Sequence, residues 1–297
     1  GANLVGVRGL SGRDLGGSKL RNAKVVDTDL SGCDLRGAEL PVELTRTNLS
    51  RCNLSDQNLS EADLSETNLS GAELTNCRLS SRLRSAKLMG CKLAGRDLST
   101  SDISCADLSG ADLSGVQLPK ILTRTNLSGC SVTGRDLRES DMSQSELSDT
   151  NLSGSDLRGC RLPLFLGQSR MANCDLRGHD LSAHVISGAD LSGADLSECK
   201  LPHDLRRTKM IGCKNMGGVN VLMADADMTG ADLSDCDLRH CRLPLDLHEV
   251  TMIRSDLSGQ DLSKHQLNGS NMEGAKLQDC KLPKILQRVI FRKCDLS

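Results

Sequence analysis

The stretch ADLSGADLSG, from Ala106 to Gly115, contains the same five-residue unit twice in succession. Between Leu49 and Leu79 a leucine likewise stands at every fifth position. A period of five matches neither the 3.6 residues of an α-helical turn nor the two-residue alternation of a strand. A small residue lies two positions before each central leucine, and a polar residue, often Asp or Asn, lies directly before it. If the leucine and the small residue point inward, single units cannot bury their leucines alone. The pattern therefore predicts a solenoid whose coils pair as parallel strands.

The unit resembles the A(D/N)LXX motif of the pentapeptide repeat family, and the resemblance extends over essentially the whole chain. It implies an all-β fold in which four pentapeptides form one coil of a right-handed, quadrilateral parallel β-helix. With a strand spacing of about 4.8 Å, about 14 coils would form a rod on the order of 70 Å long. We therefore expect residues 1–297 to form a single β-helical domain.

A longer period is superimposed on the pentapeptides, because two leucines lie only four residues apart at seven places. These pairs are Leu40/Leu44, Leu79/Leu83, Leu118/Leu122, Leu162/Leu166, Leu201/Leu205, Leu243/Leu247 and Leu282/Leu286. The resulting super-repeat is about 39 residues, or two coils with one shortened corner, where proline gives up no ladder hydrogen bond. One extra pentapeptide lies between Leu118 and Leu162, and we expect it to loop out or to move the corner by one face. Three surplus residues near 210–228 predict an irregular coil.

Charge changes sign within one part of the repeat. Residues 77–95 carry only basic charges, and residues 97–115 carry only acidic ones. With 19 or 20 residues in a coil, the basic residues should lie beside the acidic residues of the next coil, as Arg78/Asp97, Arg82/Asp102, Lys87/Asp107 and Lys92/Asp112. We interpret the change of sign as charge complementarity between neighbouring coils, with outward presentation to an anionic partner as the alternative.

The candidate interaction surface consists of basic residues, most of them near the shortened corners, and one aromatic residue. Its members are Arg96, Arg124, Arg135, Arg161, Arg206, Arg207, Lys281, Lys284, Arg288 and Phe291. We call the position two residues before each central leucine the inward slot, because the small residue there is expected to point inward. Arg96 and Arg135 occupy this slot instead of a small residue, as do His179, Gln57 and Gln260. A preceding glycine would let such a long side chain turn outward, and a ladder of polar groups for recognition is the alternative. The apolar C-terminal stretch 283–297 predicts a cap, or a contact with a second copy or a partner.

Twelve of the fourteen cysteines lie in the inward slot. They are Cys33, Cys52, Cys77, Cys91, Cys130, Cys160, Cys174, Cys199, Cys236, Cys241, Cys280 and Cys294. Buried cysteine behaves as a small apolar residue, so we expect reduced structural thiols rather than disulfides or zinc ligands. Reduced thiols, and a sequence in which no signal peptide or membrane span is seen, favour a cytoplasmic location.

No grouping of residues in the sequence indicates a catalytic, cofactor-binding or metal site, and we predict a non-enzymatic protein. Direct binding of nucleic acid is disfavoured because the basic residues have no neighbouring aromatic side chains on which bases could stack. We predict a scaffold for a protein partner, either as a separate protein or as a module of a larger one, with a homodimer through the C-terminal end as one form of contact. The family resemblance implies two alternatives: a DNA-mimicking inhibitor of a type II topoisomerase such as gyrase, and the repeat domain of a secreted bacterial effector. Mimicry of DNA requires a strongly acidic face, whereas the formal net charge is −2.

Overall fold

The computed structural model describes residues 2–7, 9–216 and 223–296. Within these residues the backbone repeats one pattern, a single bridged residue followed by a two-residue turn, without helices or longer strands. Each bridge is parallel and usually joins residues 19 or 20 positions apart, as in Asn48↔Asn68 and Asn68↔Lys87. One coil therefore contains four pentapeptides, and each pentapeptide forms one side of a four-sided parallel β-helix.

The chain divides into two compact units. The first consists of Gly1–Ser131 and Ser140–Leu147, and the second of Val132–Glu139 and Ser148–Ser297. Each unit contains columns of consecutive bridges. One column of the first unit joins Asp29, Asn48, Asn68, Lys87, Asp107, Asn126 and Glu146, and one column of the second joins Asp136, Asp156, Asp175, Asp195 and Lys214.

The central leucines fill the interior of both units. Leu49, Leu108 and Leu191, for example, have no exposed surface. Full burial of one leucine side chain is worth roughly 2 kcal/mol, so the regular leucine rows supply most of the apolar stabilisation. The second residue of most turns has a positive φ, for example 63° at Gly110 and 56° at Arg124. This corner conformation explains why glycine so often ends the pentapeptide, since glycine adopts it without strain.

The shortened corners are present as the sequence predicted. At the first of them the bridged residues Glu39 and Glu43 are four positions apart instead of five. The extra pentapeptide between Leu118 and Leu162 continues the regular alternation of bridges and turns, so it is built into the coils and does not loop out. After Leu205 the bridge spacing increases to 23 residues, as in Asp204↔Asp227, where the sequence has three surplus residues. The centre of the irregular coil expected near 210–228, residues 217–222, lies outside the described residues.

Candidate interaction surfaces

The inward slot is a hydrogen-bonding position as well as a small one. Cys52 Sγ donates to the main-chain oxygen of Leu30 over 2.9 Å, and Thr47 Oγ1 donates to that of Val25 over 3.0 Å. Ser255 Oγ donates to the main-chain oxygen of Leu233 in the same way, over 2.7 Å. Each acceptor is the carbonyl group of a central residue in the preceding coil, and Leu30 O and Val25 O also accept from the turn N–H groups of Cys33 and Thr28. Cysteine therefore suits the slot because it is small, apolar and a weak donor.

The slot cysteines are predominantly buried, as their phase in the repeat predicted. Of the twelve, only Cys280 and Cys294 are partly exposed, and the structure also buries Cys213. Burial raises the pKa of Cys52 to about 12 and that of Cys174 to about 11. These thiols remain protonated at neutral pH, so they are poor nucleophiles.

Longer polar residues in the slot bond to two carbonyl groups instead of one. Gln57 Nε2 donates to Leu35 O over 2.6 Å and to Ala38 O over 3.0 Å. Gln260 Nε2 makes the equivalent bonds to Leu238 O and Cys241 O, over 2.6 and 3.0 Å. The second acceptor in each case lies two residues before a shortened corner. These side chains therefore support the carbonyl groups beneath the corner.

Arg96 has the same role, because its two terminal guanidinium nitrogens donate to the main-chain oxygens of Cys77 and Leu74. His179 Nε2 lies 2.7 Å from Leu157 O. The expectation that long slot residues turn outward is therefore wrong for Gln57 and Arg96, whose polar ends bond to the main chain within the protein. Hydrogen bonding to carbonyl groups is the physical reason, since a long polar group in a narrow interior needs partners.

The ten residues of the candidate interaction surface do not converge on one site. Arg96 and Arg124 belong to the first unit, and the other eight belong to the second. Arg96, Arg135 and Phe291 are half-buried, whereas the remaining members are exposed: Arg124, Arg161, Arg206, Arg207, Lys281, Lys284 and Arg288. Two of the exposed residues are engaged in ion pairs, Arg206 with Asp204 at 2.8 Å and Lys281 with Asp261 at 3.3 Å.

The most regular charged feature of the second unit is an aspartate–arginine ladder that sequence reasoning missed. We define it by Asp136, Arg138, Asp156, Arg158, Asp175, Arg177 and Asp195. Arg138 binds Asp136 with both Nε and Nη2, over 2.8 and 2.6 Å, and its Nε also lies 3.6 Å from Asp156 in the next coil. Hydrogen bonds from Arg138 hold the pKa of Asp136 at about 2. The signal was the triplet Asp-Leu-Arg recurring every 19 or 20 residues.

The basic coil of the first unit differs from this ladder. We call Arg78, Arg82, Arg84, Lys87, Lys92 and Arg96 the basic belt. Three of the coil-to-coil pairs expected from the sequence are in direct register: Arg82↔Asp102, Lys87↔Asp107 and Lys92↔Asp112. Arg78 has its bridge with Asn58.

The register of the basic belt is not accompanied by ion pairs. In the part of the chain that the structure describes, none of the six cations pairs with a carboxylate. The neighbouring carboxylates instead accept hydrogen bonds from their own turns, as Asp102 Oδ1 does from Ser104 N over 3.0 Å. The expected charge complementarity therefore exists as strand register without ion pairs. The guanidinium groups of Arg82 and Arg96 donate to main-chain oxygens instead.

A second feature missed at the sequence level is an apolar corner formed by Leu164, Phe165 and Val185. Their exposed fractions are 55%, 74% and 41%. Phe165 and Val185 are bridge partners, and Val185 N donates to Leu164 O over 2.8 Å, so the three side chains adjoin. The signal was the corner LPLFL, in which both residues between Pro163 and Leu166 are apolar.

The described residues contain neither a candidate metal-ion site nor a helix able to cross a membrane. None of their His, Cys, Asp and Glu side chains form a group of three or more arranged to hold a metal ion. They also contain no helix with the length and apolar character needed to cross a membrane.

Comparison with known proteins places these features in context. A sequence model described as pentapeptide repeats matches the chain in eight copies, over residues 10–40, 43–80, 81–118, 121–162, 166–201, 219–243 and 246–284. Proteins of this kind form right-handed quadrilateral β-helices, which confirms the handedness and the four-sided coil expected from the sequence. No curated protein matches the chain.

Solved structures of pentapeptide repeat proteins are also similar to it. HetL, involved in the regulation of heterocyst differentiation in the cyanobacterium Nostoc sp. strain PCC 7120, is 25% identical, with 98% of this chain and 90% of that chain covered and a TM-score of 0.17. Full-length QnrB1, a plasmid-mediated fluoroquinolone resistance protein, is 12% identical, with 86% and 91% covered and a TM-score of 0.21. A protein of the Arabidopsis thaliana thylakoid lumen is 23% identical, with 50% and 68% covered and a TM-score of 0.10.

Proposed function

Because this chain belongs to the pentapeptide repeat family, we propose that it is a non-enzymatic scaffold that binds a protein partner through side chains fixed on its coils. The observation that carries the proposal is the apolar corner. Phe165 is one of only two aromatic residues in the sequence, and it is largely exposed beside Leu164 and Val185. Adjoining exposed apolar side chains mark contact sites, and aromatic residues are enriched among those that dominate binding energy.

The backbone beneath the apolar corner is rigid. Leu166 and Ile186, the inward neighbours of Phe165 and Val185, have no exposed surface. Leu166 N also donates to Val185 O over 2.8 Å, which fixes the two coils against each other. The backbone at this corner therefore loses little conformational entropy when a partner binds. Less of the binding free energy is lost in this way than at a flexible loop.

The test replaces Phe165 and Val185 by serine and compares the proteins that the chain retains from a lysate of its source organism. Leu245→Ser is the matched control, because Leu245 is 59% exposed at another shortened corner. We expect at least one partner that both the unaltered protein and Leu245→Ser retain and that the Phe165→Ser/Val185→Ser variant loses. Identical sets of retained proteins for all three would contradict a role for the apolar corner.

Mimicry of DNA is the second candidate, and one observation bears on it directly. Asp136, Asp156, Asp175 and Asp195 are stacked in register, as successive phosphates would be. However, the arginine of each Asp-Leu-Arg triplet binds its own aspartate and faces the next one. Arg158, for example, lies 2.7 Å from Asp156 and 3.4 Å from Asp175. Because the arginines neutralise the row of aspartates, the row produces only a weak negative electrostatic field, whereas mimicry of DNA needs a strong one. This supports the scaffold as the better proposal.

A further inference from the structure

We propose that the basic belt of the first unit docks an extended acidic peptide segment of a protein partner. This inference rests on the proposed function as a scaffold and adds the chemistry of one partner segment. The basic belt is a different surface from the apolar corner, and different observations support its proposed role.

The first observation is that three cations of the basic belt are available. Arg84, Lys87 and Lys92 are exposed, and none of them forms an ion pair with another described residue. Arg82 differs, because its guanidinium donates to the main-chain oxygen of Glu61. The arginines of the aspartate–arginine ladder are the internal contrast, because each is held in a fork by the aspartate two residues before it. At the aspartate–arginine ladder, a carboxylate of a partner would have to displace an aspartate of this chain in order to bind an arginine. At the basic belt it would displace no such carboxylate.

The second observation is the width of the basic surface. The belt occupies one coil, residues 77–96. The coil before it carries Glu61, Asp63, Glu66 and Glu73, and the coil after it carries Asp97, Asp102, Asp107 and Asp112. Neighbouring strands lie about 4.8 Å apart, so the strip of positive charge is about as wide as one extended chain.

The acidic coils on both sides of the basic belt restrict which anionic partners can bind to it. A nucleic-acid duplex is several coils wide, so its phosphates would also lie over the acidic coils and be repelled by them. A single-stranded nucleic acid gains much of its affinity from stacking on aromatic side chains, and the only two aromatic residues of the sequence, Phe165 and Phe291, belong to the second unit. An extended acidic peptide can follow the strip without overlapping either acidic coil.

The third observation is an apolar contact within the strip. Met89 is 38% exposed and lies between Lys87 and Lys92 along the coil. Methionine is a flexible apolar side chain that adapts to different partners. The partner segment is therefore expected to carry carboxylates with an apolar side chain among them.

The test measures binding of a fluorescently labelled oligoglutamate peptide by anisotropy, at low and at physiological ionic strength. The belt variant is Arg84→Gln/Lys87→Gln/Lys92→Gln, and the control variant is Arg138→Gln/Arg158→Gln/Arg177→Gln. Both variants remove three positive charges, so they have the same net charge. Thermal melting of each variant verifies that it is folded, and the double variant Lys87→Gln/Lys92→Gln replaces the triple one if that protein is unfolded.

We expect the dissociation constant of the peptide to increase about tenfold in the belt variant and by less than about twofold in the control variant. Each exposed charge contact changes the dissociation constant by only a small factor, so three lost contacts are needed for the larger effect. Binding should weaken as salt is added. Three results would overturn the proposal: no binding at low ionic strength, equal losses in the two variants, or tighter binding of duplex DNA than of the peptide. If the belt proposal fails while Phe165→Ser/Val185→Ser still loses a partner, the scaffold function stands; if only the latter test fails, the belt proposal stands.

Discussion

At the scale of single residues, the inward slot holds a short side chain, either alanine, as at Ala106, or a short donor that bonds into the preceding coil. Cys52, Ser255 and Thr47 are short donors of this kind. Beneath a shortened corner a longer residue with two donor positions replaces the short one and bonds to two carbonyl groups. Gln57 and Arg96 are chemically different but perform this same structural task.

The first prediction concerns Gln57. Replacing it by alanine removes the side-chain donor of Ala38 O and leaves Leu35 O with only the turn N–H of Ala38, and the expected loss of unfolding free energy is about 2 kcal/mol. Gln57→Arg should retain most of the stability, because arginine makes the equivalent contacts at position 96. The matched control is Gln117→Ala, at an exposed bridged position, which should change stability by less than about 0.5 kcal/mol. Chemical denaturation measures all three, and equal effects for Gln57→Ala and Gln117→Ala would contradict this role.

The second prediction is a loss of stability at alkaline pH caused by the buried thiols. Burial raises the pKa of Cys52 and Cys160 to about 12 and that of Cys174 to about 11. An unfolded thiol ionises near pH 9, so the unfolded state gains stability from about that pH upward while the folded thiols stay protonated. The contribution is fully present below pH 9 and is lost between pH 9 and the folded pKa.

Denaturation under reducing conditions at pH 8 and pH 10 measures this effect. Cys52→Ser/Cys174→Ser is the control, since serine makes the same slot hydrogen bond elsewhere in the chain and does not ionise in this range. The variant should show a smaller decrease between the two pH values. A decrease identical to that of the unaltered protein would show that other groups cause it.

At the scale of the coil, strand register and ion pairing are separate properties. Lys87 and Asp107 are bridge partners without forming an ion pair. Asp156 and Asp175 are also bridge partners and carry like charges, yet Arg158 bonds to one and lies close to the other. An arginine at the turn compensates the stacked aspartates in this column, whereas elsewhere the bridge partners themselves pair, as Lys200 and Asp180 do over 2.8 Å.

The third prediction addresses the basic coil. Lys87→Glu/Lys92→Glu places acidic residues in register with Asp107 and Asp112. Because these side chains are exposed and screened by salt, we expect the unfolding free energy to fall by only about 1 kcal/mol. Adding Asp107→Lys and Asp112→Lys restores opposite charges and should recover most of the loss in a thermal or chemical melt. If the fourfold variant is no more stable than the double one, the registered charges are not coupled.

At the scale of the whole molecule, charge balance separates the scaffold from a DNA mimic. The sequence has 37 basic and 39 acidic residues, so the long-range field is weak. The pairing of arginine with aspartate along the aspartate–arginine ladder reduces the negative field further at that surface.

The fourth prediction follows from that balance. The purified protein should not inhibit the supercoiling activity of DNA gyrase at concentrations where an acidic DNA mimic would. Arg138→Gln/Arg158→Gln/Arg177→Gln exposes the aspartate row and serves as the internal comparison. Inhibition by the unaltered protein, lost when Asp156 and Asp175 are replaced by lysine, would favour mimicry over the scaffold.

The sequence by itself determined the repeat, the four-sided parallel coil, the shortened corners and the burial of the slot cysteines. The four-sided coil was implied by the resemblance to the pentapeptide repeat family, and the other features follow from periodicity, because every fifth residue has the same environment and one unit cannot bury its leucine without its neighbours. The bridge partners of Lys87 and Lys92 could be predicted for the same reason, since register is only a count of residues along the coil.

The tertiary structure alone decided what the side chains do once the register is set. Arg96 was expected to face outward, and its guanidinium instead bonds to carbonyl groups at Cys77 and Leu74. Phe165 drew no attention in the sequence, yet it is the most exposed large apolar residue among those described. Periodicity fixes the backbone position of a residue but not the direction of a long side chain. That direction depends on which hydrogen-bonding groups and which solvent-facing corner lie within reach in the adjacent coils.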